Sequence, residues 1–135
     1  MTSHHLKAKQ ILLVEDDWVL KHTLCKALVK KDYHCHTPQN AEEVFALLNS
    51  TDIRLVVADL KMSWINTLNL CNMMKRSKQF SHIPFIFISG TTDENEIKKA
   101  FMNGCDDYLT KPFHIAELAS AIETLLAING YQYLV

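Results

Sequence analysis

The 135-residue chain lacks an excess of charge of either sign. Fourteen Lys and Arg residues stand against fifteen Asp and Glu residues, a formal net charge of -1. Because proteins that bind nucleic acids unaided carry a basic surface, this balance argues against direct DNA or RNA contact. No apolar run approaches the roughly 20 residues of a membrane span, and the start MTSHHLKAKQ lacks the apolar core of a signal peptide. We therefore expect a cytoplasmic protein with no membrane contact.

Closely spaced cysteines are also absent. Four cysteines are spread along the chain, at Cys25, Cys35, Cys71 and Cys105. They include no CxxC pair, and the nearest two are ten residues apart, which argues against a disulfide framework or a closed zinc site. His34 and His36 flank Cys35, but strand alternation would send the cysteine to the face opposite the histidines. We therefore expect neither a disulfide framework nor a metal site here.

What the chain does contain is typical of one globular α/β domain. It is 48% hydrophobic and 21% charged, with no repeat, low-complexity segment or internal linker. Short apolar runs alternate with longer helical stretches, which predicts helices on both faces of a five-stranded parallel sheet. The predicted strands are Ile11–Val14, Tyr33–His36, Leu55–Ala58, Pro84–Ile88 and Asp107–Leu109. Three of them, containing ILLV, LVVA and FIFI, are apolar enough to be interior strands.

Apolar stripes and capping residues mark the helices. The first, second and fifth helices carry stripes formed in turn by Leu20, Leu24 and Leu28; by Ala41, Val44, Phe45 and Leu48; and by Ile115, Leu118, Ile122 and Leu125. Asp17, Asn40 and Asp93 are placed to cap helix starts, the last two with a carboxylate three residues later. Gly104 and Gly130 follow helical stretches where a left-handed cap is expected.

Acidic side chains follow two of the predicted strands. Glu15 and Asp16 follow the first strand, and Asp59 follows the third. The carboxyl ends of parallel strands share one edge of the sheet, and carboxylates gathered there repel one another unless a cation neutralises them. Oxygen ligands without histidine favour a hard cation such as Mg²⁺. A carboxylate beside Mg²⁺ can accept a phosphoryl group.

Two further polar residues follow the remaining strands. Ser89 ends the fourth strand, and its hydroxyl can donate to a phosphoryl oxygen. Lys111 follows the fifth strand and would add a positive charge for the same oxygens. Each residue is ordinary alone, because a serine after a strand usually starts a turn and a lysine is usually solvated. The specific feature is the whole set. An acidic pair ends the first strand, an aspartate the third, a serine the fourth and a lysine the fifth.

These motifs closely resemble the receiver domain of two-component response regulators, the CheY-like fold. The resemblance runs from about Gln10 to Leu126 and rests on ILLVEDD, LVVADLKM, FIFISG and GCDDYLTKPF. The intervals of 30 residues from Asp59 to Ser89 and 22 from Ser89 to Lys111 agree with it. It implies a doubly wound, flavodoxin-like (βα)5 sandwich with strand order 2-1-3-4-5. Residues 1–135 would form a single receiver domain, with a core over about 10–127 and short terminal extensions.

The resemblance also implies site roles. Asp59 would be the phosphoacceptor. The protein ligands of Mg²⁺ would be Glu15, Asp16, Asp59 and the backbone carbonyl of Lys61. Ser89 and Lys111 would contact the phosphoryl group, and Tyr108, otherwise a half-exposed strand aromatic, would be the aromatic switch. The peptide bond between Lys111 and Pro112 would be cis.

The implied function is phosphoryl-dependent signalling. Asp59 would take a phosphoryl group from a phosphohistidine of a sensor histidine kinase or histidine phosphotransfer protein. The chain would not be an enzyme, although it should slowly hydrolyse its own aspartyl phosphate. Its output would be a changed face on the fourth helix, fifth strand and fifth helix, presented to a downstream protein effector. The chain would act as a monomer or as a weak phosphorylation-dependent homodimer.

One loop departs from the family pattern. Ser63 and Thr67 stand where relatives usually carry proline and glycine. A β-branched residue at positive φ costs about 1–3 kcal/mol, so we expect this loop to follow a different path. Trp64 and Ile65 place large apolar groups beside the acidic site, where they could cover it or dock a partner. This loop leaves open an alternative, a pseudo-receiver that acts as a phosphorylation-independent protein-interaction module. A flavin mononucleotide carrier of the same architecture is disfavoured, because the EDD segment would repel its phosphate.

Overall fold

The structure, a computed structural model, describes residues 8–134, with side chains as far as Asn129. The strands are β1 (Lys9–Val14), β2 (Tyr33–His36), β3 (Ile53–Asp59), β4 (Phe85–Ser89) and β5 (Asp107–Thr110). The helices are α1 (Trp18–Lys30), α2 (Ala41–Ser50), α3 (Thr67–Arg76), α4 (Glu94–Met102) and α5 (Ile115–Leu134). Most of the predicted N-terminal extension lies outside the described residues. No helix within 8–134 is long and apolar enough to cross a bilayer.

The strands form one parallel sheet in the order β2-β1-β3-β4-β5, which confirms the predicted fold. The interior strands β1, β3 and β4 are almost wholly buried, because helices cover both faces of the sheet. Alternate residues of β1 enter two separate cores. Leu12 and Val14 pack with α2, α3 and α4, whereas Ile11 and Leu13 pack with α1 and α5.

Side-chain caps begin the helices at the predicted positions. The carboxylate of Asp17 accepts from Leu20 N at 3.0 Å, and Asn40 and Asp93 cap α2 and α4 in the same way. Gly104 has a φ of 100°, in the left-handed region, as predicted. The prediction for Gly130 was wrong, because α5 continues through it to Leu134. An internal glycine lowers helix propensity by about 1 kcal/mol, which does not end a helix whose neighbours continue it.

The second helix buries a narrower stripe than expected. Val44 and Leu48 are buried, but the side chain of Phe45 is 39% exposed. The two buried residues lie four positions apart and stack along one line, whereas Phe45 is rotated by about 100° from Val44. Phe45 therefore lies on the flank of α2 rather than in the core.

One disulfide, between Cys25 and Cys35, forms although the wide spacing of the cysteines did not predict it. The chain turns tightly from α1 into β2 at Asp32, which has a φ of 68°, so the helix lies against the strand that follows it. This packing brings the two Cα atoms to 5.6 Å, within the range that a disulfide spans. His34 and His36 stack with ring centroids 4.5 Å apart. Cys35 instead packs beside the core under α1 and α5.

Candidate functional site

Three carboxylates meet at the carboxyl edge of the sheet. Val14 at the end of β1 is in register with Ala58 of β3, so residues after β1 lie beside the end of β3. Carboxylate oxygens of Glu15, Asp16 and Asp59 lie within 4.8 Å of one another. Glu15 is 1% exposed and Asp59 is 7% exposed, whereas Asp16 faces solvent. We refer to these three residues as the acidic pocket.

Lys111 neutralises part of the charge in the acidic pocket. Its Nζ donates to Glu15 Oε1 at 2.9 Å and to Asp59 Oδ2 at 2.7 Å. The end of β5 positions it, because Lys111 N donates to Ser89 O at 2.7 Å; the bond to Pro112 is cis. Burial acts to lower the pKa of Lys111, but the bonds to Asp59 and Glu15 outweigh it and raise the pKa above its usual value. The lysine is therefore charged at neutral pH, and one ammonium group faces three carboxylates.

Glu15 is the most buried member of the acidic pocket. Its Oε2 accepts from Asp17 N at 3.0 Å. Burial raises the pKa of Glu15 above its usual value, against the opposing effects of the Asp17 amide and Lys111. The charge of Asp59 raises the pKa of Glu15 further. The pocket therefore favours any added positive charge.

Both carboxylate oxygens of Asp59 are held by the chain. Oδ1 accepts from Lys61 N at 2.8 Å, and Oδ2 accepts from Lys111. The backbone carbonyl of Asp59 accepts from Thr67 Oγ1, also at 2.8 Å. Thr67 is buried as the first residue of α3, where the preceding Asn66 caps the helix by accepting from Asn69 N. Asp59 is therefore fixed through its side chain and its backbone.

The altered loop avoids the strain of a β-branched residue at positive φ. Among residues 8–134, Asp32 is the one non-glycine residue with positive φ, so Thr67 does not adopt the strained left-handed conformation. A change of path relative to the loop of relatives stays a prediction. Trp64 and Ile65 are half-buried against the core on the α3 side. They line an open groove of about 730 Å³ that Asp16 also borders, and so lie beside the acidic pocket.

Ser89 and Tyr108 both contact the loop that follows β4. Ser89 is buried, and its hydroxyl accepts from Thr91 N at 3.2 Å. The half-buried Tyr108 donates its hydroxyl to Thr91 O at 3.2 Å. The hydroxyl of Thr91 donates to Glu96 at 2.7 Å, and Glu96 forms an ion pair with Lys61. The β4–α4 loop is thus connected to the loop that follows Asp59.

Sequence reasoning missed Thr91 and misassigned Glu96. The spacing from Asp93 suggested that Glu96 completes the cap of α4. Asp93 does cap the helix, but the carboxylate of Glu96 turns to Lys61 and Thr91. Hydrogen bonding to Glu96 raises the pKa of Lys61, and the same bond lowers that of Glu96. The sequence carried no signal for a partner 35 residues away.

Comparison with known proteins identifies the fold and the family. Residues 11–123 match the response regulator receiver domain. The probable transcriptional regulator ycf29 of Pyropia yezoensis is 30% identical over 118 residues, 87% of this chain and 53% of that protein. The transcriptional regulatory protein CrdR of Helicobacter pylori is 32% identical over 115 residues, 85% of this chain and 54% of that protein. The chain thus spans about half the length of the curated relatives it matches.

Solved structures agree with this match. A signal receiver domain of a histidine kinase from Syntrophus aciditrophicus is 28% identical with a TM-score of 0.81, covering 89% of this chain and 91% of that one. A CheY-like receiver domain protein from Methanospirillum hungatei shares the fold at 20% identity, with a TM-score of 0.83 and coverage of 93% and 98%.

Proposed function

We propose that this chain, which belongs to the response regulator receiver domain family, accepts a phosphoryl group on Asp59. The donor would be a phosphohistidine of a sensor histidine kinase or histidine phosphotransfer protein. An oxygen of Asp59 would attack phosphorus, the phosphorus–nitrogen bond would break, and its electron pair would return to the imidazole. The observation that carries this proposal is the setting of Asp59, whose two oxygens are held by Lys61 N and Lys111 Nζ.

The acidic pocket fits a hard divalent cation. Its carboxylate oxygens lie within 4.8 Å of one another, and one lysine leaves them with unbalanced negative charge. Glu15, Asp16, Asp59 and the backbone carbonyl of Lys61 would hold Mg²⁺. Bound Mg²⁺ would offset the charge of the transferring phosphoryl group.

Lys111 and Ser89 would contact the transferred group. Lys111 Nζ already lies 2.7 Å from Asp59 Oδ2 and needs only a small displacement to reach a phosphoryl oxygen. The Ser89 hydroxyl accepts from Thr91 N and can donate its own proton to the phosphoryl group. A phosphoryl group on Asp59 would therefore draw the β4–α4 loop towards the acidic pocket.

That displacement would carry the signal outward. Tyr108 donates to Thr91 O, so a shift of this loop would change the position of the tyrosine ring. Phosphorylation would shift an existing conformational equilibrium, altering the face formed by α4, β5 and α5 for a downstream protein effector. Water would slowly hydrolyse the aspartyl phosphate and reset the domain.

Acetyl phosphate labelling tests the acceptor. Incubation with acetyl phosphate and Mg²⁺ should add one phosphoryl mass, lost in alkali, to the wild type but not to Asp59→Asn. Asp16→Asn should abolish Mg²⁺ binding and therefore labelling, because a cation ligand is lost. Asp17→Asn is the matched control, since asparagine caps a helix as well as aspartate does. A wild type that stays unlabelled, where another receiver is labelled in parallel, would establish the pseudo-receiver alternative.

A further inference from the structure

We propose that Cys25 and Cys35 form a reversible thiol–disulfide exchange site, separate from the acidic pocket. The two residues lie on adjacent elements, α1 and the edge strand β2, with Cα atoms 5.6 Å apart. Both residues are half-buried, unlike Cys71 and Cys105, which are buried, and the proposal requires that a small thiol or disulfide reach their sulfur atoms. This exposure distinguishes the pair from a structural disulfide sealed in a core.

The other two cysteines are excluded from this chemistry. Cys71 and Cys105 are buried in the core on the α2, α3 and α4 side of the sheet, whereas Cys25 and Cys35 pack on the α1 and α5 side. The sheet therefore separates the two pairs, and a native chain cannot exchange partners between them. Burial also raises the pKa of the Cys71 and Cys105 thiols to about 12, which leaves very little reactive thiolate at neutral pH.

Contacts other than the cross-link also hold the two elements that carry the pair. Leu24 and Leu28 of α1 are buried in the core beside the sheet, on either side of Cys25 in the helix. The backbone of β2 is hydrogen-bonded to β1 from Tyr33 to His36. Reduction would thus remove the cross-link and leave both elements in place, which is the condition for cycling in the native state.

A small-molecule disulfide such as oxidised glutathione would serve as the oxidant of the two cysteines. The thiolate of one cysteine attacks a glutathione sulfur, forming a mixed disulfide and releasing one glutathione thiolate. The second cysteine then attacks the protein sulfur of the mixed disulfide and displaces the second glutathione thiolate. The protein loses two electrons and two protons, and oxidised glutathione gains both as two thiols. Excess reduced glutathione drives the reverse sequence.

Oxidation should make the protein more resistant to unfolding. The cross-link closes a loop over a sequence separation of 10 and restricts the unfolded chain. For a domain of this size, we expect the oxidised form to melt about 5–10 °C above the reduced form. The difference should disappear in Cys25→Ser and in Cys35→Ala, and it should persist in Cys71→Ser.

The test uses the full chain equilibrated in glutathione buffers of increasing oxidised fraction. Acid quenching, unfolding and alkylation should give four adducts for the reduced form and two, on Cys71 and Cys105, for the oxidised form. Returning the oxidised sample to reduced glutathione under native conditions should restore four adducts. Protection of Cys71 or Cys105, no loss of adducts, or a disulfide reducible only after unfolding would each overturn the proposal. Circular dichroism checks that each variant is folded. If either Cys25→Ser or Cys35→Ala fails to fold, the other still tests the proposal.

Discussion

Replacing Thr67 with glycine should destabilise this protein, although glycine is the residue that relatives usually carry there. Thr67 is 1% exposed, and its Oγ1 lies 2.8 Å from Asp59 O. The net contribution of a hydrogen bond to the free energy of unfolding is about 0.5–1.5 kcal/mol, and that of a buried methyl group is about 0.8 kcal/mol. Glycine also adds flexibility to the unfolded chain, at a further cost of up to about 1 kcal/mol. We therefore expect Thr67→Gly to lower the free energy of unfolding by about 2–3 kcal/mol.

Two partial substitutions separate these contributions. Thr67→Ser keeps the hydroxyl and removes the methyl group, and should cost about 1 kcal/mol. Thr67→Val keeps the shape and removes the hydrogen bond to Asp59 O, and should cost about 1–2 kcal/mol. Urea unfolding followed by circular dichroism measures all three variants against wild type. The dependence of the free energy on urea should stay unchanged if the native fold is retained.

The unfolding free energies of Thr67→Gly and Thr67→Val decide whether the contacts of Thr67 stabilise the loop. If Thr67→Gly is as stable as wild type, neither the hydroxyl contact nor the buried methyl group of Thr67 contributes to stability. If Thr67→Val alone is neutral, burial rather than the hydrogen bond holds the start of α3. Either result would refute the explanation given for the departure from the family pattern.

Two further predictions concern charge. Lys111→Met should lower the unfolding free energy at neutral pH by about 3 kcal/mol, because it leaves Glu15 and Asp59 buried and unpaired. The loss of unfolding free energy should be smaller at acidic pH in buffer without Mg²⁺, because the raised pKa of Glu15 lets this residue take up a proton. Urea unfolding that gives the same loss at neutral and at acidic pH would contradict this prediction. Burial, and next the charge of His34, lower the pKa of His36 in the folded state. The unfolded chain then binds the proton more readily, so stability should fall as pH drops from about 7.5 to 5.5, and His36→Gln should reduce that fall.

The sheet could be predicted because its signal is local. Each strand was placed within two residues of its observed bounds, since buried strands such as Phe85–Ser89 are short, apolar and flanked by polar residues. The parallel arrangement then brings Glu15, Asp59 and Lys111 to one edge without any knowledge of side-chain packing. Their convergence is observed, whereas their roles in phosphoryl transfer remain predictions.

The features that escaped prediction depend on tertiary contacts or on the continuity of an element, which no local sequence rule contains. The disulfide of Cys25 and Cys35 required knowledge of how α1 lies against β2, which no cysteine spacing rule contains. Glu96 fits a local capping pattern, but Lys61 offers a charged partner that an uncharged amide cannot match. Gly130 follows the rule for a helix end, yet α5 continues. In each case a local rule was overridden by contacts or by the continuity of the element.

The altered loop bears directly on the pseudo-receiver alternative, because that loop was the reason to consider it. In its structure Asn66 caps α3, and the Thr67 hydroxyl donates to the Asp59 carbonyl. The contacts of Asp59 with Lys61 N and Lys111 Nζ are formed beside this loop. The departure from the family pattern therefore gives no structural reason for Asp59 to be inert. Labelling Thr67→Val with acetyl phosphate would test this point: a folded variant that is labelled, at an altered rate, supports a loop that tunes the reaction. A folded variant that is never labelled would show that the hydroxyl contact is required to keep Asp59 reactive.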